Sequence, residues 1–166
     1  SIRDNDPVIF LEHKALYTME GDVPAESYIV PFGEAAVVQE GDDVTIVAMG
    51  RMVNYAKEAA GNLRKKGIQC EIIDPRTTSP LDTDTILESV ERTGRLVVVD
   101  ESNPRCSMAS DISSFVAQEA FGALKAPIQM VTAPHVPVPF AASLEDLYIP
   151  SPARIEEAVM KVKEYR

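Results

Sequence analysis

Two apolar runs constrain this chain more than any other feature. Val44-Thr45-Ile46-Val47-Ala48-Met49 and Leu96-Val97-Val98-Val99 are nearly continuous in apolar character, and a strand that lacks a polar face must be covered on both sides. Helices lying on the two faces of a mostly parallel sheet supply that cover, so the runs point to an α/β fold. Val8 to Leu11, Ala35 to Val38, Cys70 to Ile73 and Ile128 to Val131 are short segments of similar composition and also read as strands. Glu40-Gly41-Asp42-Asp43 looks like a tight polar turn, which predicts an antiparallel hairpin over Ala35 to Met49 and a mixed sheet.

Helical periodicity fills the gaps between these strands. Met52, Ala56, Ala59, Ala60 and Leu63 recur at three- and four-residue steps within Met52 to Lys66, and Gly67 provides the stop. Asp82 is placed to cap a helix that buries Ile86, Leu87 and Val90 and ends at Gly94. A third helix uses Met108, Ile112, Phe115 and Val116. Ser151-Pro152 opens the last one, a cap followed by proline, with Lys161, Lys163 and Arg166 at its negative end. Lys14 to Phe32 shows no period and carries Gly21, Pro24 and Pro31, so it reads as a linker.

The 166 residues suffice for one hydrophobic core, and 45% hydrophobic with 25% charged residues is ordinary for a globular domain. A net charge of -10 opposes contact with nucleic-acid phosphates and anionic lipid, and favours a basic protein partner. No apolar run approaches the ~20 residues of a membrane-spanning helix, and Ser1 to Asp6 has no signal-peptide core, which predicts a cytoplasmic protein that engages neither membrane nor nucleic acid. Cys70 and Cys106 stand in unlike settings without metal-ligand spacing, so reduced thiols and no metal site are expected.

Few residues stand out for chemistry. Gly50 follows a buried strand and precedes a helix, where an anion can rest, but no phosphate-binding pattern surrounds it and a plain strand-to-helix turn explains it. His13 and His135 are the two histidines; each fits either acid-base work or structural packing. Arg76 and Glu101 lie just beyond strand ends, the side where open α/β sheets bind ligands. Arg76 can grip a carboxylate or phosphate, or else pair with Asp74, Asp82 or Asp100 to fix its loop. Pro134-His135-Val136-Pro137-Val138-Pro139-Phe140 must be extended, and its Val136, Val138 and Phe140 ridge suits either an interface or packing on its own sheet.

Taken in order, these motifs resemble a known family. Pro7 to Lys14 with Leu16-Tyr17, then Gly33-Glu34-Ala35, Glu40 to Val47, Asp74-Pro75-Arg76-Thr77, Pro80-Leu81-Asp82, Thr93-Gly94-Arg95, Val98-Val99-Asp100-Glu101, Ala126-Pro127 and Pro137 to Phe140 are similar to beta subunits of the decarboxylating component of 2-oxo acid dehydrogenases. The pyruvate, branched-chain and acetoin enzymes form this group. Asn103 to Cys106, Thr132 to His135 and Leu144 to Pro150 look most like the acetoin branch.

The resemblance implies a transketolase C-terminal-like domain over residues 27–166: a three-layer α/β/α sandwich on a five-stranded, mostly parallel sheet with one antiparallel strand. Residues 1–26 would be the last strand of a preceding pyrimidine-binding domain plus a linker. It further implies an enzyme that uses thiamine diphosphate and magnesium, with the groups that hold them outside this chain, so that the fragment alone binds neither and is inactive. His13 matches a position near the family's substrate channel. Partners would be a second beta subunit, an alpha subunit and a lipoyl acyltransferase core whose small basic domain docks at the beta C-terminus. For docking the candidates are Lys125, where several relatives place an acid, and Arg166. His135, Val136, Val138 and Phe140 are candidates for the beta-beta contact. Two alternatives are a fragment of transketolase or deoxyxylulose-phosphate synthase, and a free-standing small-anion module built on Gly50, Arg76 and Glu101.

Overall fold

The computed structural model describes residues 1–165. Five strands, β1 (Ala36–Gln39), β2 (Val44–Ala48), β3 (Cys70–Asp74), β4 (Leu96–Val99) and β5 (Gln129–Val131), form one sheet in the order β1-β3-β2-β4-β5. β3, β2, β4 and β5 run parallel, and β1 is antiparallel to β3. Five helices accompany them: α1 (Met52–Arg64), α2 (Thr83–Thr93), α3 (Met108–Glu119), α4 (Ala142–Tyr148) and α5 (Pro152–Lys163).

Strands without a polar face are covered twice, as their composition requires. Val44, Ile46, Ala48, Ile72, Val97 and Val99 pack against α1 and α5 through Met52, Ala59, Leu63, Ile155 and Val159. Val47, Ile73, Leu96 and Val98 meet Ile86 and Val90 of α2 and Ile112 and Val116 of α3 on the opposite face. One polar insertion interrupts that second layer. The Thr45 hydroxyl bonds those of Ser89 at 2.6 Å and Thr93 at 2.8 Å, so three buried hydroxyls satisfy one another and fix α2 over β2.

The mixed sheet is present, but the hairpin is not. β1 pairs with β3 rather than β2, because residues 40–43 cross over the start of β3 instead of turning back beside β1. Gly41 makes that crossing possible: a Cβ there would stand 2.4 Å from the Cys70 carbonyl carbon. Asp43 then locks the approach, accepting from Gln69 N–H at 2.7 Å and from Lys163 Nζ at 2.5 Å.

The first expected strand, Val8 to Leu11, is also absent, and these residues are exposed. β1 and β5 form the two edges of this sheet, and residues 8–11 pair with neither. A single 3-10 turn, Lys14–Leu16, interrupts the otherwise irregular path to residue 35. Asp82 and Ser151 cap their helices as the sequence suggests, each accepting a hydrogen bond from the first turn it precedes, and Gly94 closes α2 in the left-handed region at φ 72°; Ser107 caps α3 in the same way, without having been marked by the sequence. α4 was not foreseen, since it has no side-chain cap and no buried residue to give it a period.

Candidate functional site

The arrangement of connections places a crevice between two particular strands. β2 and β4 are neighbours, yet α1 leaves β2 towards one face while α3 leaves β4 towards the other. The strands stay paired to their last residues, Ala48 and Val99, but the connections that leave them diverge, and this divergence is where doubly wound sheets take their ligands. Gly50 terminates the β2 side with φ 55°, and Glu101 terminates the β4 side.

His13 occupies the gap between them. Its Nε2 lies 2.5 Å from Glu101 Oε1, its Nδ1 accepts from Ala15 N–H at 3.2 Å, and its Cδ2 lies 3.6 Å from the place a Gly50 Cβ would take. The side chains of His13 and Glu101 remain 26% and 34% exposed, so the pair borders solvent. Three residues singled out separately in the sequence thus converge. What brings His13 there is the linker, whose 3-10 turn the imidazole itself caps, and whose Met19 Sδ accepts from Asn54 on α1.

Arg76 stays apart from this group. It is exposed, with φ 58°, and among the described residues forms no ion pair with Asp74, Asp82 or Asp100. Those acids are engaged elsewhere. Asp74 accepts from the Arg76 main chain, Asp82 from Ala35 N–H and Thr85, and Asp100 from the N–H groups of Ser102 and Ala109. Main-chain donors fixed in a turn thus take the carboxylates that the guanidinium was expected to bind.

His135, Val136, Val138 and Phe140 are all exposed, Phe140 fully so at 105%. The ridge does not pack on its own sheet; one tie to the rest is Tyr148 OH, which donates to Val136 O at 3.4 Å. Lys125 folds back over Gly94, and its Nζ lies 3.4 Å from Thr93 O at the C-terminus of α2. Arg166 lies outside the described residues.

At the opposite, N-terminal end of the parallel strands lies a groove of about 460 Å³ that no sequence motif marks, beside β1 and under α2. Glu40, Asp42, Glu71 and Glu88 line it against Arg92 alone among cations. Arg92 binds Glu71 and approaches Asp42. Such a field repels a diphosphate, and among the described residues no group of His, Cys, Asp or Glu is placed to hold a metal ion. This groove therefore does not fit thiamine diphosphate and its magnesium. No helix among the described residues is long and apolar enough to cross a membrane.

A doubly wound α/β/α domain, with an antiparallel edge strand and a charged strand-end crevice, is the class these features define. Residues 33–155 match the transketolase C-terminal domain family, and the chain belongs to it. It is 65% identical over 97% of its length to the beta subunit of acetoin:2,6-dichlorophenolindophenol oxidoreductase from Cupriavidus necator, covering 48% of that protein. To the pyruvate dehydrogenase E1 component subunit beta of Rickettsia felis it is 48% identical over 99%, covering 51%. Among solved structures, a split-gene transketolase in an inactive beta4 tetramer superposes with a TM-score of 0.74 at 28% identity, over 87% of this chain and 46% of that one. The chain thus spans about half the length of the curated relatives it matches.

Proposed function

We propose that this chain is the C-terminal assembly domain of a beta subunit in a thiamine-diphosphate-dependent dehydrogenase acting on acetoin, or failing that on a 2-oxo acid. The 65% identity to the Cupriavidus necator subunit, against 48% for the pyruvate branch, carries this reading. In it the domain joins a second beta subunit through Val136, Val138 and Phe140 with His135 at the rim, and works with an alpha subunit. Residues 1–26 belong to the end of the preceding domain and the linker, and the exposed Ile9, Phe10 and Leu11 suit burial against that domain. The cofactor's diphosphate and magnesium are held by parts beyond this chain. His13 faces the substrate channel at the strand-end crevice.

Docking of a lipoyl acyltransferase falls to the N-terminal end of the parallel strands. Lys125, the end of α5 and the acidic groove all lie there; Arg95, next to Gly94, donates to Val162 O of α5. A basic docking domain would find Glu40, Asp42 and Glu88 beside it. The anion-module alternative has less support, because its crevice is filled by the His13–Glu101 pair.

The test is catalytic. The complete beta subunit, purified with its alpha partner and supplied with thiamine diphosphate and magnesium, should reduce 2,6-dichlorophenolindophenol with acetoin at a higher kcat/KM than with pyruvate. A preference for pyruvate would move the chain to that branch, and activity with neither would refute the assignment.

A further inference from the structure

Both nitrogens of the His13 ring are committed. Nδ1 accepts from Ala15 N–H and so carries no proton, which makes Nε2, 2.5 Å from Glu101 Oε1, the protonated and donating nitrogen of the neutral ring. The two contacts differ in origin. Ala15 lies in the same turn as His13, whereas Glu101 stands two residues past the end of β4.

The platform under Glu101 is firm. β4 is wholly buried, Asp100 N–H donates to Val131 O at 3.1 Å, and the Asp100 carboxylate holds Ser102 N–H and Ala109 N–H at the start of α3. Across the crevice, Gly50 presents no side chain to the ring. The carboxylate thus sets which way the imidazole faces and, together with the Ala15 N–H, which nitrogen bears the proton.

We propose that Glu101 is a positioning residue that holds His13 as the Nε2–H tautomer at the β2–β4 crevice. The ring then meets an incoming ligand as a hydrogen-bond donor rather than as a base. The ligand class this selects bears an acceptor oxygen, a carbonyl or carboxylate, which replaces the Glu101 carboxylate at Nε2. This inference rests on the proposed placement of His13 in the substrate channel.

Its test uses the complete alpha-beta enzyme with Glu101→Gln, Glu101→Ala, His13→Asn and the His13→Asn/Glu101→Ala double variant. Steady-state kinetics with acetoin are read beside 15N spectra of imidazole-labelled histidine, in which His13→Asn identifies the signal. Glu101→Ala should lower kcat/KM by about tenfold or more and admit an Nδ1–H population. Glu101→Gln keeps an acceptor oxygen and should recover most of the activity with Nε2–H alone. In the His13→Asn background Glu101→Ala should cost less than about twofold, because a residue acting through His13 has nothing left to position. An unchanged Nε2–H tautomer in Glu101→Ala, or costs that simply add in the double variant, would overturn the proposal. If the wild-type enzyme does not oxidise acetoin, the functional assignment fails instead, and the His13 tautomer in Glu101→Ala still decides the positioning claim.

Discussion

At the residue scale, environment separates groups that the sequence presents as equals. Cys70 and Cys106 look alike in the chain, but one is buried and the other exposed. Burial, reinforced by the nearby Asp43 carboxylate, pushes the Cys70 thiol up to about 12 against a weaker opposing pull from Lys163. Since the thiolate is the reactive form, Ellman's reagent should titrate one thiol per folded chain and a second only after denaturation. Two fast thiols in the folded protein would place Cys70 wrongly. The same scale shows where sequence reading stops. His13, Gly50 and Glu101 were each recognisable as strand-end or channel residues, yet their meeting depends on a linker without periodicity, and no local pattern encodes where such a segment lies. The ion pair that Arg76 could form with Asp74, Asp82 or Asp100 is not among the described contacts, because those acids bind main-chain donors, which composition does not reveal.

At the scale of elements, legibility follows the source of the signal. The strands and α1, α2, α3 and α5 were readable because a buried face imposes a period and a cap imposes a residue type. Strand order was not readable, and the missing hairpin shows why: Gly41 permits both a turn and a crossing, and only contact with the Cys70 backbone distinguishes them. Asp82 joins two elements, since it caps α2 and also accepts from Ala35 N–H at the entrance to β1. Burial opposes its ionisation, but the bonds from Ala35 and Thr85 outweigh that and lower its pKa below the ordinary 3.8. A depressed carboxylate contributes stability that is present above the unfolded value and lost as pH falls through the folded one. Asp82→Ala should therefore cost roughly 1–3 kcal/mol at pH 7. In denaturant titrations the gap from wild type should narrow as the pH drops below 3.8. A gap that stays constant down to pH 3 would deny Asp82 this role.

At the scale of the whole molecule, the two ends of the parallel strands carry different features. The C-terminal end carries the crevice and the extended ridge; the N-terminal end carries the acidic groove and Lys125. Lys125 lies against the negative end of α2, so an acid introduced there would meet the helix dipole as well as any docking partner. Val136, Val138 and Phe140 are exposed at 57%, 64% and 105%, and an apolar ridge of this kind is what a closed two-fold contact buries. The central claim, that this domain assembles the enzyme, is tested most directly by sedimentation equilibrium of the complete alpha-beta enzyme with and without Phe140→Asp. Wild type should sediment with two beta subunits per particle, and the variant should fall to particles holding one, with its dissociation midpoint moved to higher protein concentration by at least about tenfold. A variant with the same mass and the same concentration dependence as wild type would contradict the account.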